Sequence, residues 1–370
     1  MPGLYRAVNI AAEFFISAKF PLIEREKCMS SSISKKTFDL PLKDALFDYL
    51  AGDDLAKSFG KVAQGLFIPI IAMAIFLGLW EAGAKNVQTS LGVLPGPAKV
   101  WEQTVGLYQE HKAERDREED FYQRLQKRLD KAIAAGKPQE KIDKLKNREY
   151  TGKETFFDQI LTSLWTVMAG FIAASIIAIP IGIVCGMSAT LYAAINPLIQ
   201  IFKPVSPLAW LPLVTIVVSA VYVSNDPALS KSFLNSAITV TLCCIWPTII
   251  NTTVGVNGVN RDLLNVSRVL RLNWFTKTVK IVLPSAVPMI FTGLRLSLGI
   301  GWMVLIAAEM LAQNPGLGKF VWDEFQNGSS NSLARIMVAV LVIGLIGFLL
   351  DRGMLSLQRY VSWDKNAILR

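Results

Sequence analysis

Histidine is nearly missing from this chain: His111 is the only one in 370 residues. A single imidazole leaves zinc-hydrolase motifs and Ser/His/Asp or Cys/His catalysis without their residues. Cysteine is scarce too. Of Cys28, Cys185, Cys243 and Cys244, three fall in apolar stretches and none sits in a CxxC pair. That is neither a disulfide framework nor a metal pattern, and packing is the expected role. There is no GxxxxGK[ST] loop, so any ATP used is expected on another chain. Charge is thin as well, at 18% of residues against 52% hydrophobic, with mean hydropathy +0.39. Soluble domains do not have this balance.

What is present is a series of long uncharged runs: 62–80, 159–202, 204–225, 232–260 and 336–350. Several reach the roughly 20 apolar residues that cross about 30 Å of hydrocarbon. A soluble helical core would need polar faces that these runs lack. An all-α integral membrane protein with about six spans is expected. The first span covers 62–84, with Pro69 tolerated in lipid. The second is 160–187. A short helix at 191–202, a break at Pro204 and Pro207, and a third span to about Val223 follow, with Pro212 inside it. The fourth is 233–254, the fifth runs from Pro284 to about Leu311, and the sixth is 336–350.

Residues 1–61 read as a cytoplasmic tail ending in an amphipathic helix (Ala45, Leu46, Tyr49, Leu50, Leu55) on the membrane face. The stretch 11–20 is broken by Glu13 and Lys19 and lacks a signal-peptide cleavage site. A start at Met29, ahead of a serine run, stands as an alternative to Met1. Between the first two spans, 109–154 is charged throughout. Leu125, Leu129 and Ile133 make an i, i+4, i+8 stripe, Gly136-Lys137-Pro138 is a turn signal, and Ile142 with Leu145 adds a second stripe. A helical hairpin is expected there, either a passive insert or a docking element.

Lys35, Lys36, Lys43, Lys57 and Lys61 precede the first span; Arg261, Arg268, Arg271, Lys277 and Lys280 lie between the fourth and fifth; Arg352 follows the sixth, with Arg359, Lys365 and Arg370 in the 356–370 tail. All fall on one side of a six-span topology, which puts both termini in the cytoplasm and the hairpin outside. The net charge of +9 then reflects these loops. Without an aromatic-basic patch, nucleic acid is not an expected partner.

The loop from Asp262 to Pro284 carries the most information. Leu263, Val266, Val269, Leu270 and Trp274 recur at helical spacing while Arg268, Arg271 and Lys277 take other faces. This is an amphipathic helix whose apolar face must dock in a partner's groove or in the membrane interface. At its end stand Ile281, Leu283 and Pro284. Here the sequence resembles the permease subunits of type I ATP-binding-cassette importers, in the nitrate/sulfonate/taurine/bicarbonate group. Their EAA motif, three residues, Gly, nine residues, Ile, one residue and Leu-Pro, forms a coupling helix. Aligned on Leu283 and Pro284, the motif's end matches. Its start departs, with Asn265, Val266 and Ser267 at the EAA positions and Arg271 at the glycine. Leu94-Pro-Gly-Pro97, the 196–212 segment with its prolines, and Phe291-Thr-Gly-Leu-Arg295 followed by Ala307-Ala-Glu-Met310 support the same family over about 62–360.

The resemblance implies a permease core over 156–355, bound to cytoplasmic ATPase subunits, an extracytoplasmic substrate-binding protein, a second permease copy and the bilayer. It implies multi-pass residence in a bacterial inner membrane, no cofactor, no metal and no chemistry of its own. Residues 265–271 with Leu283 and Pro284 would couple to the ATPase. A small anion would be the cargo, with nitrate favoured over bicarbonate, cyanate, taurine and sulfonates. A secondary transporter or channel is the rival class, and a membrane enzyme a weaker one. Candidate path residues are Arg295, Trp302 and Glu309. Arg295 lies 11 residues past Pro284, about 16 Å into the fifth span, and Glu309 stands about 21 Å further along, out of its reach. The arginine is therefore expected either to line the path or to bond backbone carbonyls near Pro204–Pro212.

Overall fold

The computed structural model describes residues 55–89, 92–136, 138–223, 230–329 and 331–361. The readings of the 1–54 tail, of Cys28 and Met29, and of the end of the 356–370 tail lie outside these. The chain divides into two compact units, 1–80 and 81–370. The first described element, α1 (Leu55–Asn86), carries Pro69 inside it and exposes Phe67, Ile70, Ile71, Ile75 and Phe76. Residues 55–61 thus join the first span in one helix, with no break at 61/62.

In the second unit a two-residue hairpin (β1, Gln88–Thr89; β2, Gly92–Val93) leads to α2 (Pro97–Ala134) and α3 (Gln139–Lys146). Pro97 fits the first helical turn, where its missing N–H costs nothing. The helix therefore begins well before residue 109. Val100 and Leu107 are buried, whereas beyond Glu110 the helix is charged and Ile133 is exposed. The expected hairpin exists, but its first arm has a packed base.

α4 (Phe156–Met187), α7 (Lys231–Asn257) and α10 (Leu283–Ala312) form the core. Thr241 Oγ1 donates to Gly170 O at 3.1 Å and Thr253 Oγ1 to Gly182 O at 3.2 Å. The equal offsets make α4 and α7 parallel. α10 runs antiparallel to α7, with Ser297 Oγ donating to Cys244 O at 2.7 Å. A Cβ on Gly301 would come within 2.7 Å of Cys244 Sγ, so only glycine permits this approach. Lipid tails are as apolar as leucine, so spans associate through small residues and hydroxyl bonds.

Between α4 and α7, α5 (Ala189–Phe202) and α6 (Pro207–Val221) meet at 99°. Pro204 and Pro207 end one helix and start the other, with Ser206 Oγ accepting from Leu208 N at 3.3 Å. At 15 residues, α6 spans about 22 Å, too short to cross alone. In place of one straight third span there is thus a bent pair, with the form of a broken span or a re-entrant loop, and Phe202 at the bend stacks on Trp246 with centroids 5.9 Å apart. Among the described residues, five helices are long and apolar enough to cross a membrane, or six if this pair is one span. α8 (Arg261–Val269), α9 (Trp274–Lys277) and a π turn (Thr278–Val282) link α7 to α10; α11 (Leu317–Asn327) and α12 (Ser332–Val361) close the fold. The last helix runs past Leu350, taking Asp351 into a membrane-length element.

Candidate functional site

At one end of the core, Asn260 caps α8 by accepting from Asp262 N at 2.9 Å. Ser267 is the inward residue, 2% exposed, with its hydroxyl donated to Leu264 O at 2.6 Å. Most of the remaining surface of the helix is bare. Val266, Val269 and Leu270 are 52%, 81% and 62% exposed, and Leu263, Trp274 and Phe275 join them. Arg268 turns along the helix to Asn265 Oδ1 at 3.3 Å. The result is an apolar strip beside basic residues.

Two backbone bonds end α8. Leu272 N donates to Ser267 O and Arg271 N to Arg268 O, each at 3.0 Å. This is a Schellman closure, which requires a left-handed residue. Arg271 supplies it at φ 45°, although a side chain there costs about 1 kcal/mol or more relative to glycine. The arginine at the motif's glycine position thus keeps the turn geometry. Asn273 then caps α9 by accepting from Thr276 N at 2.7 Å. Thr278, donating to Trp274 O at 2.8 Å and 3.2 Å from Met187 Sδ, ties the loop to the end of α4. Val282 is buried, Leu283 half-buried and Pro284 exposed.

Arg295, Trp302 and Glu309 do not converge. They are separate anchors along α10. Arg295 meets Asp351 in two bonds, Nε to Oδ1 at 3.0 Å and Nη2 to Oδ2 at 3.1 Å. The expected bonds to carbonyls near Pro204–Pro212 are not what the arginine makes, because a carboxylate within reach offers a charge-matched fork. Trp302, 5% exposed, donates Nε1 to Ile343 O at 3.0 Å, and Gln358 donates to Pro288 O at 3.2 Å. These three contacts recur every two turns and pin α10 to α12. Sequence reasoning missed Asp351 and Gln358, since both lay beyond the uncharged run; their seven-residue spacing was the available signal.

Glu309, 1% exposed, sits near the other end. The Ser163 hydroxyl lies 2.8 and 2.9 Å from its two oxygens, Gly318 N donates to it at 2.9 Å, and Leu317 N donates to Ser163 Oγ at 2.9 Å. A carboxylate thereby caps the start of α11, where the helix dipole favours negative charge. Gly316, at φ 148°, makes room for it. Glu309 and Trp302 are thus enclosed within the protomer.

At that same end, Arg335 binds Glu324 at 3.2 Å and also Glu110, joining α12, α11 and the base of α2. Thr155 and Asp158 form a capping box at the start of α4, where Arg115 and His111 also attach. Glu114 takes bonds from Tyr150 Oη at 2.8 Å and Lys153 N at 3.1 Å. The Tyr150 bond holds its carboxyl below the usual range and raises the phenol. No group of three or more His, Cys, Asp and Glu fit for a metal occurs among the described residues.

The geometry agrees with comparisons to known proteins. The family described as "Binding-protein-dependent transport system inner membrane component" matches residues 178–362, which include the bent pair, the α8 loop and α10 to α12. The nitrate import permease protein NrtB of Synechocystis sp. is 39% identical over 203 residues, 55% of this chain and 69% of that protein. The bicarbonate transport system permease protein CmpB of the same organism is 38% identical over 318 residues, 84% of this chain and 95% of its own. CmpB of Synechococcus elongatus is 32% identical over 307 residues, 82% and 92% of the two chains. With the matched region carrying both the bent helix pair and the exposed apolar loop helix, the chain belongs to the family of binding-protein-dependent transport system inner membrane components.

Proposed function

We propose that this chain is the translocating subunit of an ATP-driven importer for a small anion, nitrate first. The observation that carries the reading is the strip Val266, Val269, Leu270 and Trp274 on a loop helix whose inner residue, Ser267, is buried. A short helix in that posture fits a groove in a soluble partner, and cytoplasmic ATPase subunits supply one. The chain performs no hydrolysis itself; its work is to hold two conformations close in free energy while ATP binding shifts their balance. Residues 265–271, Leu283 and Pro284 take the coupling role, and the lysines and arginines around α8 put that end and both termini in the cytoplasm. An extracytoplasmic binding protein delivers cargo to the hairpin end, and a second copy of the chain completes the path.

Of the three candidate path residues, Arg295 alone keeps an appreciable exposure, at 23% of its side chain. We assign it to the path wall, with Trp302 and Glu309 holding the helices behind it. Bicarbonate is the second reading, favoured by the greater share of this chain that the CmpB relative covers, 84% against 55% for NrtB. Reconstitution with the ATPase and binding protein, followed by uptake of nitrate, bicarbonate and taurine into vesicles, tests both. Co-purification of an ATPase separates this class from a secondary transporter or channel, which would work without one.

A further inference from the structure

At the end of the molecule where α2, α4 and α11 meet lies a cavity of about 790 Å³, large enough for a small ligand or an inserted side chain and its neighbours. Its walls are fixed by polar contacts: Arg335 clamps Glu110 and Glu324, and Glu114 is held by Arg117, Tyr150 and the Lys153 amide. Phe156 and Phe320, with centroids 4.7 Å apart, supply an apolar wall. After these pairings, two lining carboxylates remain without an ion pair among the described residues, Glu154 and Asp323, against one ammonium, Lys153. Gln159 lines the same space. It is 9% exposed, and its carbonyl oxygen is buried with no donor among the described residues. A buried acceptor without a donor is costly to leave unmade.

We propose that this cavity seats a lysine or arginine side chain of the extracytoplasmic binding protein when that protein docks. Surplus carboxylate asks for N–H donors on a cation, and the small anionic cargo meets the wrong sign here. The cavity opens between the base of the hairpin and the short helix that Glu309 caps, so one inserted cation would bridge the hairpin and the core. This rests on the importer reading and on its orientation.

The test uses the full transporter in lipid nanodiscs with its ATPase and its cognate binding protein. Replacing Glu154 and Asp323 together by Gln and Asn is expected to weaken binding-protein affinity about tenfold and to flatten its salt dependence, with basal ATPase unchanged. Gln159→Leu is expected to raise the permease's own melting temperature, since it removes an unpaired polar atom, while leaving docking unchanged. Equal affinity for the unaltered and the doubly substituted transporter overturns the proposal and leaves the importer reading standing. A binding protein that fails to engage the unaltered transporter overturns both. Spermidine is the control for a free cation: stabilisation by spermidine that depends on Glu154 and Asp323, with docking unaffected, would make this a small-molecule site and overturn the docking assignment.

Discussion

Arg295 and Asp351 face each other across α10 and α12 as a two-bond ion pair, at 3.0 and 3.1 Å. They lie 56 residues apart in sequence, and the pair is the middle of three contacts, with Gln358 to Pro288 on one side and Trp302 to Ile343 on the other. A cation on a membrane helix is expensive unless paired or wetted, and this partner is what makes Arg295 tolerable.

Asp351→Asn is therefore expected to destabilise the fold by about 1–3 kcal/mol, between the values for exposed and buried pairs, by stranding the guanidinium. Adding Arg295→Gln should restore most of that loss, whereas transport should stay impaired if the arginine lines the path. Thermal unfolding in detergent, read beside vesicle uptake, checks both halves.

Val269→Asp, at an 81% exposed position, should leave the membrane fold intact. In an apolar docking groove the same charge costs several kcal/mol. Loss of the ATPase during purification, with an unchanged permease melting temperature, is the expected result; normal transport by this variant would remove α8 from the coupling role.

Arg271→Gly relieves a left-handed arginine and should stabilise the turn by about 1 kcal/mol. Arg271→Val should do the reverse, since a β-branched residue fits that region poorly. Hydrogen exchange at the Leu272 amide, which closes the Schellman turn, reports each change directly.

Glu309→Ala removes the acceptor for Gly318 N and Ser163 Oγ. Leaving buried donors unmade should cost about 2–4 kcal/mol in all. Gly316→Ala should destabilise as well, because its φ of 148° disfavours any side chain and the added methyl meets the Glu309 carboxylate. Glu309→Gln keeps an acceptor and should be the mildest of the three by melting temperature.

The return of the hairpin should depend on pH at both extremes. Glu114 has its pKa lowered by the Tyr150 bond, so its contribution is present above its ordinary value near 4.5 and fades as pH falls through the depressed value. Tyr150 is raised, so its contribution is full below its ordinary value near 10.0 and fades as pH climbs through the raised one. Tyr150→Phe should flatten both limbs, measured as protection of the Lys153 amide, which also bonds Glu114.

Uncharged runs and prolines by themselves determined the membrane class, the order of spans and the break after Phe202, because lipid imposes length and apolarity on each segment independently of its neighbours. The apolar strip of α8 was equally legible, since helical period is local. Partners across helices were not. Asp351 reads as a tail residue until α12 is seen to continue to Val361, and Ser163 is one hydroxyl among many until α10 and α11 bring Glu309 and Leu317 against it. Ion pairs and buried hydroxyls depend on which faces of distant segments are pressed together, and sequence period fixes a face without naming what lies opposite. Only the tertiary packing decided that Arg295, Trp302 and Glu309, all on one helix, are held by three different partners.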